Sequence, residues 1–226
     1  MRNLKELMRD FIFGMEDGLV SNLGLVLGVY IGGGGQFAII LAGLASMLAG
    51  AFSMSAGSYL SAKSQREVYE QEIKAVEEEV QKNPRKCLSE MKKIFQEEGV
   101  SSKESELLVK KFSQKHHPKF ICNYLVQKKV GISRNKFDLP LWNALMMFFS
   151  FLVGSSFPIF PFIIFTGDKA AYIAVTATII ALFTMGSLKT YYTKRNWLKS
   201  GMEIVLIGLG AGFMGYLVGL VLSHFS

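Results

Sequence analysis

Five apolar runs dominate this chain, at residues 11–32, 37–61, 139–165, 170–188 and 202–223. Each holds at least about 19 residues, and at ~1.5 Å per residue a helix of that length crosses the ~30 Å hydrocarbon core of a bilayer. The second run carries no charge at all, and the first carries only Glu16 and Asp17. The charge of the molecule is concentrated elsewhere: the segment 62–138 holds 17 of the 25 Lys and Arg and 12 of the 18 Asp and Glu. Charged residues make up 19% of the chain and mean hydropathy is +0.29, whereas a soluble domain carries about 25% charged residues. This pattern excludes a purely soluble enzyme, a disordered chain, a collagen-like fibre and a disulfide scaffold. The expected fold is an all-α membrane protein of five transmembrane helices, with a small cytosolic helical module inserted between helices 2 and 3. Its parts are an N-terminal segment with helices 1 and 2 over 1–61, the module over 62–138, and helices 3–5 over 139–226.

The loops indicate an orientation. The loop Gly33-Gly34-Gly35-Gln36 is uncharged, and 166–169 has one Asp and one Lys. Arg2, Lys5, Arg9, the charged segment and Lys189, Lys194, Arg195 and Lys199 all fall on the opposite side. The bias of Lys and Arg toward the cytoplasm then puts the N-terminus and the module in the cytosol and the C-terminus outside or in a lumen. The net charge of +7 follows from this asymmetry, and no nucleic-acid partner is expected, because that role needs a basic face with stacking aromatics. The start, MRNLKELMRDFIF, lacks the long apolar region and cleavage site of a signal peptide and is read as mature chain. Cys87 and Cys122 form neither a CxxC nor a zinc spacing and are expected as reduced cytosolic thiols.

Within the charged segment, 67–80 and 86–96 place Val76, Val80, Cys87, Met91, Ile94 and Phe95 at helical spacing. Asn83-Pro84 opens a new helix and Gly99 stops it. Ser101 and Ser102, followed by Glu104 and Glu106, open a third helix with Leu107, Leu108 and Phe112 on its inner face. His116-His117-Pro118 breaks that helix, and a fourth over 120–129 ends at Gly131. The two histidines read as a solvated helix end, because neighbours on a helix point about 100° apart and chelate one ion poorly.

Asp17 is the sharpest chemical signal. A carboxylate inside a span costs about 2.5–3.5 kcal/mol on insertion scales, so it faces a cavity, a partner or an ion. Otherwise the span begins later, and Glu16 and Asp17 sit at the interface as partners of the helix N-terminal dipole. Met54 stands at a depth similar to that of Asp17 in the next span. An oxygen and a thioether at one level form a mixed site for a borderline transition metal, although a lone Met in a span is more commonly packing. Glu203, near the start of span five, is either a helix N-terminal acid or a path residue. Small residues four apart, such as Gly14/Gly18, Gly24/Gly28/Gly32, Ser46/Gly50, Gly208/Gly212 and Gly215/Gly219, allow close helix approach, within the chain or between copies through spans one and two. No Ser-His-Asp, P-loop, haem or zinc-protease pattern is present in the sequence, so an enzyme is not expected.

Several motifs fall in order along the spans: Asp17-Gly18-Leu19-Val20-Ser21, Ser53-Met54, Gly57-Ser58-Tyr59-Leu60-Ser61, and Ser64-Gln65-Arg66-Glu67. They continue with Phe151-Leu152-Val153-Gly154, Pro158, Pro161, Gly186-Ser187-Leu188-Lys189, Gly201-Met202-Glu203, Ile207-Gly208 and Tyr216-Leu217-Val218-Gly219. Together they resemble the vacuolar iron transporter family over nearly the whole chain. The resemblance implies a five-span homodimer that exports ferrous iron, often manganese too, from the cytosol in exchange for protons, with no bound cofactor. It implies that Asp17 and Met54 line the path and bind the ion, and that the module binds metal; Glu16, next to Asp17, is a further candidate for the path. Ser58 stands where many relatives have the Glu of a GEY motif. Alignment on Pro84 and Gly99 puts the first set of module ligand positions at Val76, Glu79, Cys87 and Glu90, and only Glu79 and Glu90 keep a carboxylate. Lys128 and Lys129 fall where relatives often carry Glu, and an ammonium repels a cation. Glu70, Glu72, Glu77 and Glu78 are the alternative ligands. The module therefore reads as degenerate, holding at most one or two ions weakly.

The leading function is proton-coupled export or sequestration of ferrous iron or manganese. Asp17 binds the ion when ionised and releases it when protonated, and Met54 favours softer ions over magnesium and calcium. A membrane-bound metal sensor or buffer, and a transport-silent relative, are the alternatives. The topology has a direct test on a Cys87→Ser/Cys122→Ser background. A membrane-impermeant thiol reagent is expected to label Gln36→Cys or Ser226→Cys from the external or luminal side, and labelling of Ser101→Cys from that side would sink the five-span arrangement.

Overall fold

The computed structural model describes residues 4–114, 118–129, 131 and 139–224. The described residues form eight helices: α1 (Leu4–Ile31), α2 (Gln36–Lys82), α3 (Pro84–Glu97), α4 (Ser102–Gln114), α5 (Pro118–Lys129), α6 (Pro140–Ile164), α7 (Gly167–Thr193) and α8 (Trp197–Ser223). Five of them, α1, α2, α6, α7 and α8, are long and apolar enough to cross a membrane. The protein is a multi-pass, all-α membrane protein with a smaller helical module of α3–α5 between the long helices. It divides into two compact units, Met1–Ser61 with Pro140–Ser226, and Ala62–Leu139. His116 and His117, like Arg2 and Ser226, lie outside the described residues.

The second apolar run and the first helix of the charged segment are one helix of 47 residues. No Gly or Pro interrupts 58–82, and the pairs Lys63–Glu67 and Arg66–Glu70, at 3.8 and 2.7 Å, support successive turns where the apolar run ends. A change of composition is therefore not a change of backbone here.

The first unit is assembled on α1. Gly14, Gly18 and Gly154 bring α1 and α6 into backbone contact: a Cβ on Gly18 would stand 2.5 Å from the Phe151 carbonyl oxygen, and one on Gly154 2.2 Å from that of Met15. α8 crosses α1 in the same way, with a Cβ on Gly215 falling 2.0 Å from the Gly24 oxygen and one on Gly219 2.4 Å from the Gly28 oxygen. These small-residue spacings serve packing within the chain. α7 joins through Leu182 and Met185, which are buried with Ile12, Met15 and Leu19 of α1 and Ile204 and Val205 of α8. The turn from α1 to α2 uses Gly33 at φ +82°, a conformation that costs glycine no Cβ clash.

α2 meets this unit along one stripe. Ile39 is buried with Val26, Ile159 and Phe162, and Ile40 and Met47 pack against the same cluster. Gly43 faces Ile159 and Val26, and Gly50 faces the Phe151 ring. Gln36 donates its amide to the Phe162 carbonyl at 2.8 Å, satisfying an acceptor near the C-terminus of α6, the helix that contains Pro158 and Pro161. Phe37, Leu41, Leu48 and Phe52 point outward and are exposed.

The second unit has its own core of Ile73, Val76 and Val80 from α2, Cys87 and Met91 from α3, and Ile121, Cys122, Leu125 and Val126 from α5, with Val109 and Phe112 of α4 packed against it. Ser101 caps α4: its hydroxyl accepts from Glu104 N at 3.3 Å, and the Glu104 carboxylate accepts from Ser101 N at 3.3 Å, a reciprocal capping box. Leu107, expected inside, is 67% exposed. The inward stripe of α4 is Ser105, Leu108, Val109 and Phe112, which is i, i+3, i+4, i+7, and Leu107 lies about 200° round the helix from Ser105. Asn83 precedes Pro84 as expected, but its side chain makes no capping hydrogen bond.

The glycine crossings make a measurable prediction. Gly215→Ala is expected to lower stability by about 1–3 kcal/mol, the usual cost of overpacking. Gly210→Ala, where a Cβ meets nothing within 4 Å, should melt at or above the wild-type temperature. Thermal melting of the purified proteins in one detergent checks both, and equal melting of the two variants would contradict the α1–α8 contact.

Candidate functional site

α1 begins at Leu4, so Asp17 lies about three and a half turns inside it. The helix N-terminal field fades within the first turn, and the reading of Glu16 and Asp17 as dipole partners therefore does not hold. Asp17 is half-buried. The Ser21 hydroxyl donates to its backbone oxygen at 2.6 Å, and Asp17, Ser21, Gly24 and Gly28 share one stripe of α1. Beyond Asp17 this stripe becomes the wall of a shallow groove of about 590 Å³, lined by Ser21, Gly24 and Gly28 of α1 and by Gly215 and Gly219 of α8.

Glu16 points elsewhere. It lines a cleft of about 310 Å³ with Arg9, Ile12, Phe13, Lys189 and Thr193. α8 begins at Trp197, capped by the Asn196 side chain, which accepts from Leu198 N at 2.9 Å and Lys199 N at 3.3 Å. Glu203 thus lies beyond the first turn of α8, which contains no acid. It is not a helix N-terminal acid.

Met54 is half-buried on α2, one turn beyond Gly50 on the stripe that faces the rest of the unit. Phe151 links the two levels: its backbone oxygen lies against Gly18 and its ring against Gly50. From the level of Phe151, Asp17 is about 1.5 Å along α1 and Met54 about 6 Å along α2. The two candidate ligands therefore stand within about one helical turn of each other in depth.

In the second unit, the carboxylates of Glu79 and Glu90 do come together, on α2 and α3. A lysine stands between them: Lys129 of α5 places its ammonium 3.2 Å from Glu79 Oε2 and 2.7 Å from Glu90 Oε2. Lys86 donates to the other Glu79 oxygen at 2.7 Å. Lys86 and then Lys129 hold the Glu79 carboxyl below its usual range, and Glu90, followed by Glu79, pushes the Lys129 ammonium up. Among the described residues, no group of three or more His, Cys, Asp and Glu is arranged to hold a metal ion.

Comparison with known proteins decides the family. The profile of the VIT family matches residues 8–220. The chain belongs to the VIT family. It is 27% identical over 220 residues to vacuolar iron transporter 1 of Arabidopsis thaliana, covering 97% of this chain and 87% of that one. It is 30% identical over 204 residues to the vacuolar iron transporter of Centaurea cyanus, covering 90% and 82%. It is also similar to the vacuolar iron transporter of Plasmodium falciparum, at 25% identity over 231 residues. As a VIT-family protein the chain is a metal transporter of the membrane and not an enzyme.

This VIT-family chain also buries polar groups that no motif in the sequence marks. Asn22 is fully buried, donating to Ser155 Oγ at 2.9 Å and to the Gly18 oxygen at 3.3 Å. Ser150, Asn143 and Asp10 are buried nearby in sequence or on the facing helix. Interhelical bonds of this kind average about 0.6 kcal/mol in membranes, and Asn22–Ser155 sets the rotation of α1 one turn beyond Asp17. The available signal was an Asn in an otherwise apolar run, four residues after a glycine.

The charge cluster of the second unit has a defined pH signature. Glu79 titrates lower in the folded protein, so its contribution is complete above its unfolded value and is lost as pH falls through the folded one. Lys129 titrates higher, so its contribution is complete below its unfolded value and is lost as pH rises through the folded one. The melting-temperature gap between wild type and Glu79→Gln is expected to be widest across the neutral range and to close as pH falls below about 4. A gap that persists in acid would show that the Glu79 charge is not what stabilises the module.

Proposed function

We propose that this VIT-family protein moves cytosolic ferrous iron, and manganese, across its membrane in exchange for protons. The observation that supports the reading is Asp17, a half-buried carboxylate deep in α1, with the half-buried Met54 of α2 within about one helical turn of it in depth. The ionised carboxylate supplies a hard oxygen and the thioether a soft sulfur, a pair suited to a borderline transition metal. Protonation removes the charge that holds the cation, so one group serves both fluxes. The stripe from Asp17 through Ser21, Gly24 and Gly28 supports a route lined by small residues. Glu16, which lines a cleft with Lys189, stands at the cytosolic approach.

The N-terminus and the 62–138 module face the cytosol, and the C-terminus faces the exterior or a lumen. The protein works as a homodimer whose interface is built mainly from spans one and two, supported by the outward apolar face of α2 and the groove along α1. A sensor or buffer role is disfavoured by Lys129, which stands between the acids that such a role would use.

The test is flux in proteoliposomes with a proton gradient. Asp17→Asn is expected to fold but to lose proton-coupled metal flux, because an amide neither binds as an anion nor exchanges a proton. Met54→Ala is expected to retain flux at a lower rate and with weaker preference for iron over magnesium. Wild-type flux in Asp17→Asn protein would remove Asp17 as the coupling group.

A further inference from the structure

Three helices of the second unit each contribute a charge to one point. Glu79 comes from α2, Glu90 from α3 and Lys129 from the C-terminal end of α5. The ammonium touches both carboxylates, at 3.2 and 2.7 Å. All three side chains are only partly exposed, at 28% for each glutamate and 34% for the lysine. A divalent ion shared by two carboxylates would sit about 2.0–2.6 Å from their oxygens, in the space the ammonium fills. Lys86 neutralises the remaining Glu79 oxygen at 2.7 Å. Beside this pair, Lys128 of α5 meets Glu98 at the end of α3, so the basic end of α5 is fastened to α3 at two places.

We propose that the Lys129 ammonium is a built-in cation that joins α2, α3 and α5 in place of a divalent metal, so that the module closes without metal and the Glu79–Glu90 pair takes none up. The ammonium is delivered by α5 and cannot diffuse away, whereas a metal at two carboxylates would keep most of its water and exchange with the cytosol. An arriving divalent cation would have to displace a charge of its own sign from both ligands at once. Removal of that charge leaves two carboxylates facing each other across a space of ionic size, and their repulsion then opens the module unless a cation returns. The inference does not rest on the transport reading, and its test measures closure and binding, not flux.

Cys87 and Cys122 are the only two cysteines of the chain, and both are buried in the module core. Their labelling by a thiol reagent in the full-length protein therefore reports opening of the module. Wild-type labelling is expected to run at the same rate in chelator and in manganese. Lys129→Gln should label about three- to fivefold faster in chelator, the scale of a partly exposed ion pair. In manganese it should slow toward the wild-type rate and take up one more Mn²⁺ per chain than wild type, counted by loss of the free-ion electron paramagnetic resonance signal. Adding Glu79→Gln and Glu90→Gln should abolish that uptake, and Lys129→Arg should behave as wild type. Two results would overturn the inference. One is wild-type labelling that manganese slows and that Glu79→Gln/Glu90→Gln makes insensitive, which would make the acid pair a working metal site. The other is a Lys129→Gln protein that labels as wild type and gains no ion. The wild-type comparison decides the question even if Lys129→Gln fails to fold.

Discussion

The backbone contact of α1 with α6 and α8 is the constraint on which the membrane unit depends. Lipid offers no hydrophobic drive for helix association, because its tails are as apolar as leucine. Close van der Waals contact and a few interhelical hydrogen bonds must supply it. Gly18 and Gly154 toward α6, and Gly24, Gly28, Gly215 and Gly219 toward α8, permit that contact. Asn22–Ser155 then fixes which way α1 faces. The direction in which Asp17 points is a consequence of these contacts, and any displacement of Asp17 along the membrane carries α6 and α8 with it.

Much of the membrane unit was legible in the sequence because the bilayer permits so few solutions. A run of about 20 apolar residues in lipid must be a helix, and five such runs give five helices. The continuity of α2 was harder to read. The switch from apolar to charged residues after Ser61 looks like a boundary, while helix continuation depends on the absence of breakers and on i,i+4 pairing. The inner face of α4 differs from its apolar pattern for a related reason. Ser105 is fully buried, so the inner stripe includes a polar residue while the apolar Leu107 faces out.

Asp17 and Met54 stand out in the sequence one at a time, as a carboxylate and a thioether inside apolar runs, and their joint role belongs to the proposal. What relates them is Phe151, a third helix's residue, and no spacing along the chain announces it. The acid pair of the module was half legible. Folding back at Asn83-Pro84 brings Glu79 and Glu90 to one lysine. The ammonium between them comes from α5, and an ion pair between distant segments leaves no periodic signature. The lysine-rich end of α5 was visible as a feature hostile to cations, yet its partner could be found only in three dimensions.

The glycines of α1 have a thermodynamic consequence. A side chain that packs into a helix interface gives up rotamers, at up to about 2 kcal/mol for the long flexible ones, whereas glycine has none to give up. The surfaces that α1 offers at Gly14, Gly18, Gly24 and Gly28 are thus docked with no side-chain entropy loss, and their attraction is mostly dispersion enthalpy. Warming penalises an interface in proportion to the disorder it suppresses. The glycine crossings on either side of the half-buried Asp17 therefore lose less with rising temperature than contacts built from leucine and methionine.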